Sequence, residues 1–116
     1  MHAMTKSQPP STPNKHAALV AQACRRIEAA EQPPSLDDLA LQAGLSPFHF
    51  HRVFRGMTGE TPAELARRLR LERAAWQLRS TTEPVTRIAF DAGFDTHESF
   101  TRAFRSHFDT SPSGFR

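Results

Sequence analysis

Apolar residues recur along this chain at three- and four-residue intervals, and prolines, glycines and capping residues cut the pattern into short blocks. From about Lys15 to Ala30, Val20, Ala23, Cys24 and Ile27 share one face, which predicts a helix. Gln32-Pro33-Pro34 stops it. Ser35 is placed to cap the next helix, and Asp38 three residues on gives the reciprocal capping arrangement. Gly44 ends that helix and supplies the backbone freedom of a tight turn. Ser46-Pro47 then caps and opens another, proline being suited to the first helical position. Its Phe50, Val53 and Phe54 fall at i, i+3 and i+4 and face a core; Phe48, His49, His51, Arg52 and Arg55 lie mostly on the rest of its surface. Thr61-Pro62-Ala63-Glu64 starts a long helix that runs to about Arg79, striped by Leu71, Ala74, Ala75 and Leu78. Arg67, Arg68, Arg70, Arg73 and Arg79 cover much of its remainder. A further helix follows from about Pro84, Asp95 or Thr96 can cap the one after it, and Ser111-Pro112 begins the last.

Two of these blocks are copies of each other. Leu39-Ala40-Leu41-Gln42-Ala43-Gly44-Leu45-Ser46 is followed by Phe50, Arg52, Phe54, Arg55 and Thr61-Pro62. Ile88-Ala89-Phe90-Asp91-Ala92-Gly93-Phe94-Asp95 is followed by Phe100, Arg102, Phe104, Arg105 and Ser111-Pro112. Ala40/Ala89 and Gly44/Gly93 align at one offset; Phe50/Phe100 and Arg52/Arg102 align at an offset one larger. The second copy has gained one residue in the turn, where helix length need not be kept. Short helix, glycine turn, second helix is the layout of a helix-turn-helix. The fold class expected is all-α. Residues 1 to about 14, polar and proline-rich, read as a disordered leader. Two helix-turn-helix subdomains, 15–61 and 81–116, flank a linker helix over 62–80. At about 1.5 Å per residue that helix is roughly 27 Å long, near the ~34 Å of one turn of B-DNA.

Composition agrees without deciding the matter. Nine Pro, five Gly and no Tyr favour helices joined by short turns over sheet. The formal charge of +3 favours a polyanion partner but does not require one. All the cations except Lys6 and Lys15 are Arg, which suits bidentate contacts to guanine and phosphate, although the base composition of a genome gives the same bias. Cys24 alone makes neither a disulfide framework nor a cysteine-based zinc site, and its apolar helix face points to a buried structural thiol. No stretch is long and apolar enough to span a membrane and no secretory signal precedes the domain, so a cytoplasmic location is expected.

Catalysis finds no support. His49 and His51, two apart on a helix, project about 200° apart and cannot share a metal. His97 and His107 are ten residues apart along one helix. No carboxylate cluster, nucleophilic arrangement or glycine-rich phosphate loop occurs. The expectation is no catalytic residue, no metal and no cofactor.

The segment Ile88-Ala89 … Ala92-Gly93-Phe94 … Ser99-Phe100-Thr101-Arg102-Ala103-Phe104 … Ser111-Pro112 … Phe115-Arg116 resembles the signature of the AraC/XylS family of bacterial transcription regulators, in its DNA-binding domain. Arg70-Leu71 with Ala74 and Leu78 looks like that family's linker helix. The likeness covers roughly residues 20 to 116. One departure is Asp109, where the family usually has Gly, as at Gly59; Asp tolerates left-handed backbone better than most residues. The resemblance implies seven helices, with two recognition helices in adjacent major grooves of double-stranded DNA. It implies base-facing roles for Phe48, His51 and Arg52 in the first motif, and for His97, Glu98, Thr101 and Arg102 in the second.

Side-chain chemistry bears on each of these. Arg52 and Arg102 can donate bidentately to guanine or clamp a phosphate. Glu98 can accept from cytosine N4 or stand as a plain surface charge. Phe48 can pack on a thymine methyl or staple the helix start to the core. Thr101 can touch a thymine methyl or a phosphate. Ser46, Arg55 and Arg105 are phosphate candidates, and some arginines of the long helix can add to them, although a solvated face is the plainer reading for any one.

The expected site is a tandem of unlike boxes about one helical turn apart, read by a monomer. Family likeness makes activation the commoner outcome and RNA polymerase a possible partner. The alternative is a helical protein-interaction module with weak, non-specific DNA binding. Because the chain stops four residues into its last helix, a fragment of a larger regulator with a further effector or dimerisation domain is also expected.

Overall fold

The computed structural model describes residues 12–116, with side chains from Lys15 on. Among them are seven helices and no strand: α1 Thr12–Ala29, α2 Leu36–Ala43, α3 Pro47–Thr58, α4 Pro62–Ser80, α5 Val85–Asp91, α6 His97–Phe108 and α7 Pro112–Phe115. The leader expected over 1–14 lies outside the described residues as far as residue 11. From Thr12 the chain is already helical, three residues ahead of the expected start. Pro13 falls in that first turn, where its missing N–H is no loss.

The helix boundaries follow from capping chemistry. Ser35 Oγ accepts from the Asp38 amide at 3.0 Å, Ser46 Oγ from His49 at 3.1 Å and Thr96 Oγ1 from Ser99 at 3.0 Å. Of the two candidates before α6, Thr96 is therefore the cap. Gly44, Gly59 and Gly93 take φ of 74°, 82° and 90°, and Asp109 ends α6 at φ 61°. The left-handed turn that Gly59 makes after α3 is thus kept after α6 by an aspartate.

The chain divides into two compact units, one up to Ala63 and one from Glu64. In the first, α3 packs on α1 and α2. Phe50 and Phe54 are fully buried, as are Leu39 and Ala40, with Val20, Ala23 and Ile27 of α1 nearly so. Val53 and Cys24, expected in this core, are only half-buried. Each lies at the margin of the stripe its neighbours bury.

In the second unit, Leu71, Ala74, Ala75 and Leu78 of α4 meet Ile88, Ala89 and Ala92 of α5 and Phe100, Ala103 and Phe104 of α6 in one cluster. Phe94, Phe108 and Phe115 pack against it. The end of the chain closes this core through backbone carbonyls. Arg116 Nε donates to Leu78 O at 3.1 Å, and its Nη2 donates to Thr81 O at 3.2 Å and to Glu83 O. A cation there satisfies the Leu78 carbonyl, in the last turn of α4, together with two carbonyls just past the helix end, and complements the helix dipole. Arg79 donates to Phe115 O at 2.9 Å and lies over the Phe115 ring at 4.2 Å.

Candidate nucleic-acid interface

Burying Phe50 and Phe54 decides which face α3 leaves to solvent. At about 100° per residue, Phe48, His51, Arg52 and Arg55 fall within an arc of roughly 100° opposite that pair. Phe48 is 72% exposed, Arg52 and Arg55 are exposed and His51 is half-buried. The Arg52 guanidinium lies 5.8 Å from the centre of the Phe48 ring, a cation–π pair one turn apart. The extreme exposure of Phe48 removes the alternative in which it staples the helix start to the core. His49 turns instead toward α1, its ring edge-on to His16 at 5.7 Å.

The same construction governs α6. Phe100 and Phe104 are fully buried, which turns Glu98, Thr101, Arg102 and Arg105 outward within roughly 100°, whereas His97, the first residue of α6, projects close to the direction of Phe104. His97, Glu98, Arg102 and Arg105 are exposed. Thr101 is half-buried, and its Oγ1 is buried without a hydrogen-bond partner. In this rotamer the hydroxyl is not offered to a phosphate.

An offset of fifty residues superimposes the two faces. Phe48, His51, Arg52 and Arg55 correspond to Glu98, Thr101, Arg102 and Arg105, and the capping Ser46 corresponds to Thr96. Cations stand at two matched positions, and a half-buried residue stands at His51/Thr101. Phe48 against Glu98 is the sharpest difference, since it exchanges an apolar surface for a hydrogen-bond acceptor. Ser46 spends an oxygen lone pair on the His49 amide but keeps its O–H to donate.

Among the described residues no group of three or more His, Cys, Asp or Glu is placed to hold a metal ion. No helix of the described residues is long and apolar enough to cross a membrane.

A family model described as a helix-turn-helix domain matches residues 39–116. Regulatory protein SoxS of Salmonella typhimurium is 39% identical over 89 residues, which cover 77% of this chain and 83% of that protein. The chain belongs to the AraC-type helix-turn-helix family. A crystal structure of a Chromobacterium violaceum transcriptional regulator, described as AraC-type DNA-binding domain-containing, matches with a TM-score of 0.79 at 31% identity, covering 86% of this chain and 90% of that one. The DNA-binding domain of AdpA, solved with a target DNA, matches with a TM-score of 0.68 at 28% identity over 87% of this chain and 88% of that one. As an AraC-type domain, the chain is a sequence-specific DNA-binding domain of a transcription regulator and not an enzyme.

One arginine of this AraC-type domain, expected on the open face of the long helix, is partly buried instead. Arg70 of α4 is half-buried and its Nε is buried with no hydrogen-bond partner. Burial first, then the like charges of Arg67 and Arg73, hold its pKa below the ordinary arginine value. Its register carried the signal. Arg70 stands four residues before Ala74 and one before Leu71, on the border of the buried stripe rather than on the open face.

Proposed function

We propose that this domain reads two short, unlike boxes of duplex DNA in tandem about one helical turn apart, binding as a monomer and acting chiefly as an activator. The observation that carries this reading is the matched pair of outward faces on α3 and α6, each fixed by a fully buried phenylalanine pair one turn apart. A monomer suffices because one chain carries both helices. The boxes are unlike because the two faces differ in sequence, most of all at Phe48 and Glu98.

Arg52 and Arg102 donate to guanine, Phe48 and the Thr101 methyl pack on thymine methyls, Glu98 accepts from cytosine N4, and His51 and His97 contact neighbouring base edges. Ser46, Arg55 and Arg105 hold phosphates and set the register. The target DNA bound by AdpA in its crystal structure supports this use of the fold. An RNA polymerase contact is compatible with it. Leu41 and Phe90 hold the same place in the two copies and are 80% and 74% exposed, surfaces that a protein partner could cover. The cytoplasm, on the nucleoid, is where such a domain would work.

Selection from a random-core duplex library at near-physiological salt tests the reading, and two short boxes about ten base pairs apart should be enriched. With roughly six phosphate contacts, log K should fall against log salt with a slope of about −5. Salt-sensitive binding with no enriched sequence would rule out dual base readout. Retention of full affinity by an Arg52→Ala, Arg102→Ala variant that remains folded would instead favour the protein-interaction module.

A further inference from the structure

Arg70 is the one described cation whose buried nitrogen the fold leaves without a partner. It lies against the turn of the second motif: a Cβ placed on Gly93 would stand 3.6 Å from Arg70 Nε and 3.8 Å from its Cδ. One turn earlier on α4, the Arg67 guanidinium stacks over the ring of Phe94 at 5.7 Å. Arg70 therefore borders Gly93 and Arg67 borders Phe94, adjacent residues four and three positions ahead of the first residue of α6. Asp91, two residues before Gly93, faces Arg87 at 3.7 Å.

We propose that Arg67 and Arg70 form a phosphate clamp on the DNA backbone that borders the groove entered by α6. The proposal rests on the DNA-reading function above and extends it to residues outside both recognition helices. Desolvating a cation without a counter-charge is unfavourable, and an anion brought to the guanidinium offsets that cost. The burial and like-charge repulsion that act on Arg70 point the same way. Proximity selects the anion. Three residues of chain reach at most about 10 Å, so a guanidinium over Phe94 stays close to the start of α6. A major groove about 12 Å wide places a sugar–phosphate strand on either side of a helix inserted in it. Guanidinium groups also match the geometry of phosphate oxygens bidentately.

The test compares the wild-type domain with Arg67→Met, Arg70→Met and the double variant on the selected duplex over a range of salt concentrations. Methionine keeps an unbranched stem and a favourable contact with Phe94. Each lost phosphate contact should lower the magnitude of the salt slope by about 0.9, equivalent to about eightfold in affinity at 0.1 M salt. The ratio of affinities for correct and altered boxes should stay the same. Melting temperature supplies the readout that a packing role would move: Arg70→Met should melt no lower than wild type, and Arg70→Lys should restore part of the slope.

An unchanged slope in the double variant, beside a steep wild-type slope, overturns the clamp and leaves the DNA reading standing. A flat wild-type slope overturns both. Undiminished DNA affinity with lost binding to RNA polymerase would also overturn the clamp and identify the anion as a partner's carboxylate.

Discussion

The two helix-turn-helix motifs bury the same phenylalanine pair but surround it differently. In the first unit Phe50 and Phe54 touch at 5.7 Å, and their buried neighbours are small or aliphatic: Val20, Ala23, Ile27, Leu39 and Ala40. In the second, Phe100 and Phe104 join Phe94, Phe108 and Phe115 in a continuous run of rings with centroids 4.5 to 5.6 Å apart. The pair itself fixes which face of each recognition helix is left to solvent. What closes the core around that pair is interchangeable: an amphipathic helix before the motif in one unit, and α4 with the chain's last aromatic residue in the other.

The largest effect should come from breaking that pair. Phe50→Ala and Phe104→Ala should each cost about 3–5 kcal/mol of stability, from lost burial and an unfilled cavity. Phe104 should cost more, because it contacts Phe100, Phe108 and Phe115. Each favourable ring pair contributes about 0.5–1.5 kcal/mol beyond burial. Denaturant unfolding of both variants measures the gap. Equal losses would mean that the aromatic run acts only as apolar volume.

Next in size is the outward face. Arg52→Ala and Arg102→Ala should each cost about 1–3 kcal/mol of binding and relax preference at one or two base pairs. The comparison sharpens if duplexes with one altered box are titrated against each variant. Arg52→Ala should become indifferent to changes in one box and Arg102→Ala to changes in the other. A uniform loss across all sequences would make that arginine a phosphate clamp instead.

Much of this is legible in the sequence, for a physical reason. Helix starts marked by Ser35, Ser46 and Ser111, the turn glycines, and the stripe Leu71, Ala74, Ala75 and Leu78 are local signals, set by residues within one or two turns of each other. The outward face of α3 followed once Phe50 and Phe54 were assigned inward. Val53 is only half-buried where periodicity predicts a core residue, because periodicity places a residue near a stripe but does not say how wide the opposing surface is. The register of Arg70 at the edge of the buried stripe is legible in the sequence, but its unpartnered Nε and the unpartnered Oγ1 of Thr101 are not, for another reason. Whether a hydroxyl or a guanidinium nitrogen is buried without a partner depends on residues distant along the chain or on the rotamer adopted, and no spacing rule encodes it. The roles of Arg79 and Arg116 belong to the same class, since their acceptors lie more than thirty residues away.

The smallest expected effect concerns the turn that ends each recognition helix. Gly59 and Asp109 do the same work at φ 82° and 61°, but only glycine adopts that region without a steric cost, which is about 1–2 kcal/mol for an L residue and less for Asp. Asp109 also places a negative charge at the C-terminal end of α6, where the helix dipole disfavours it, although Arg105 and His107 in the last turn soften the effect. Against these gains, glycine is more flexible in the unfolded chain, which costs about 0.5–1 kcal/mol. Asp109→Gly should therefore stabilise the second unit by only about 0.5 kcal/mol, a rise of roughly 2–4 °C in melting temperature. Gly59→Asp should shift the first unit in the opposite direction by a similar or larger amount. A lower melting temperature for Asp109→Gly would mean that the carboxylate itself holds the turn after α6, and the two turns would then share a backbone conformation without sharing its cause.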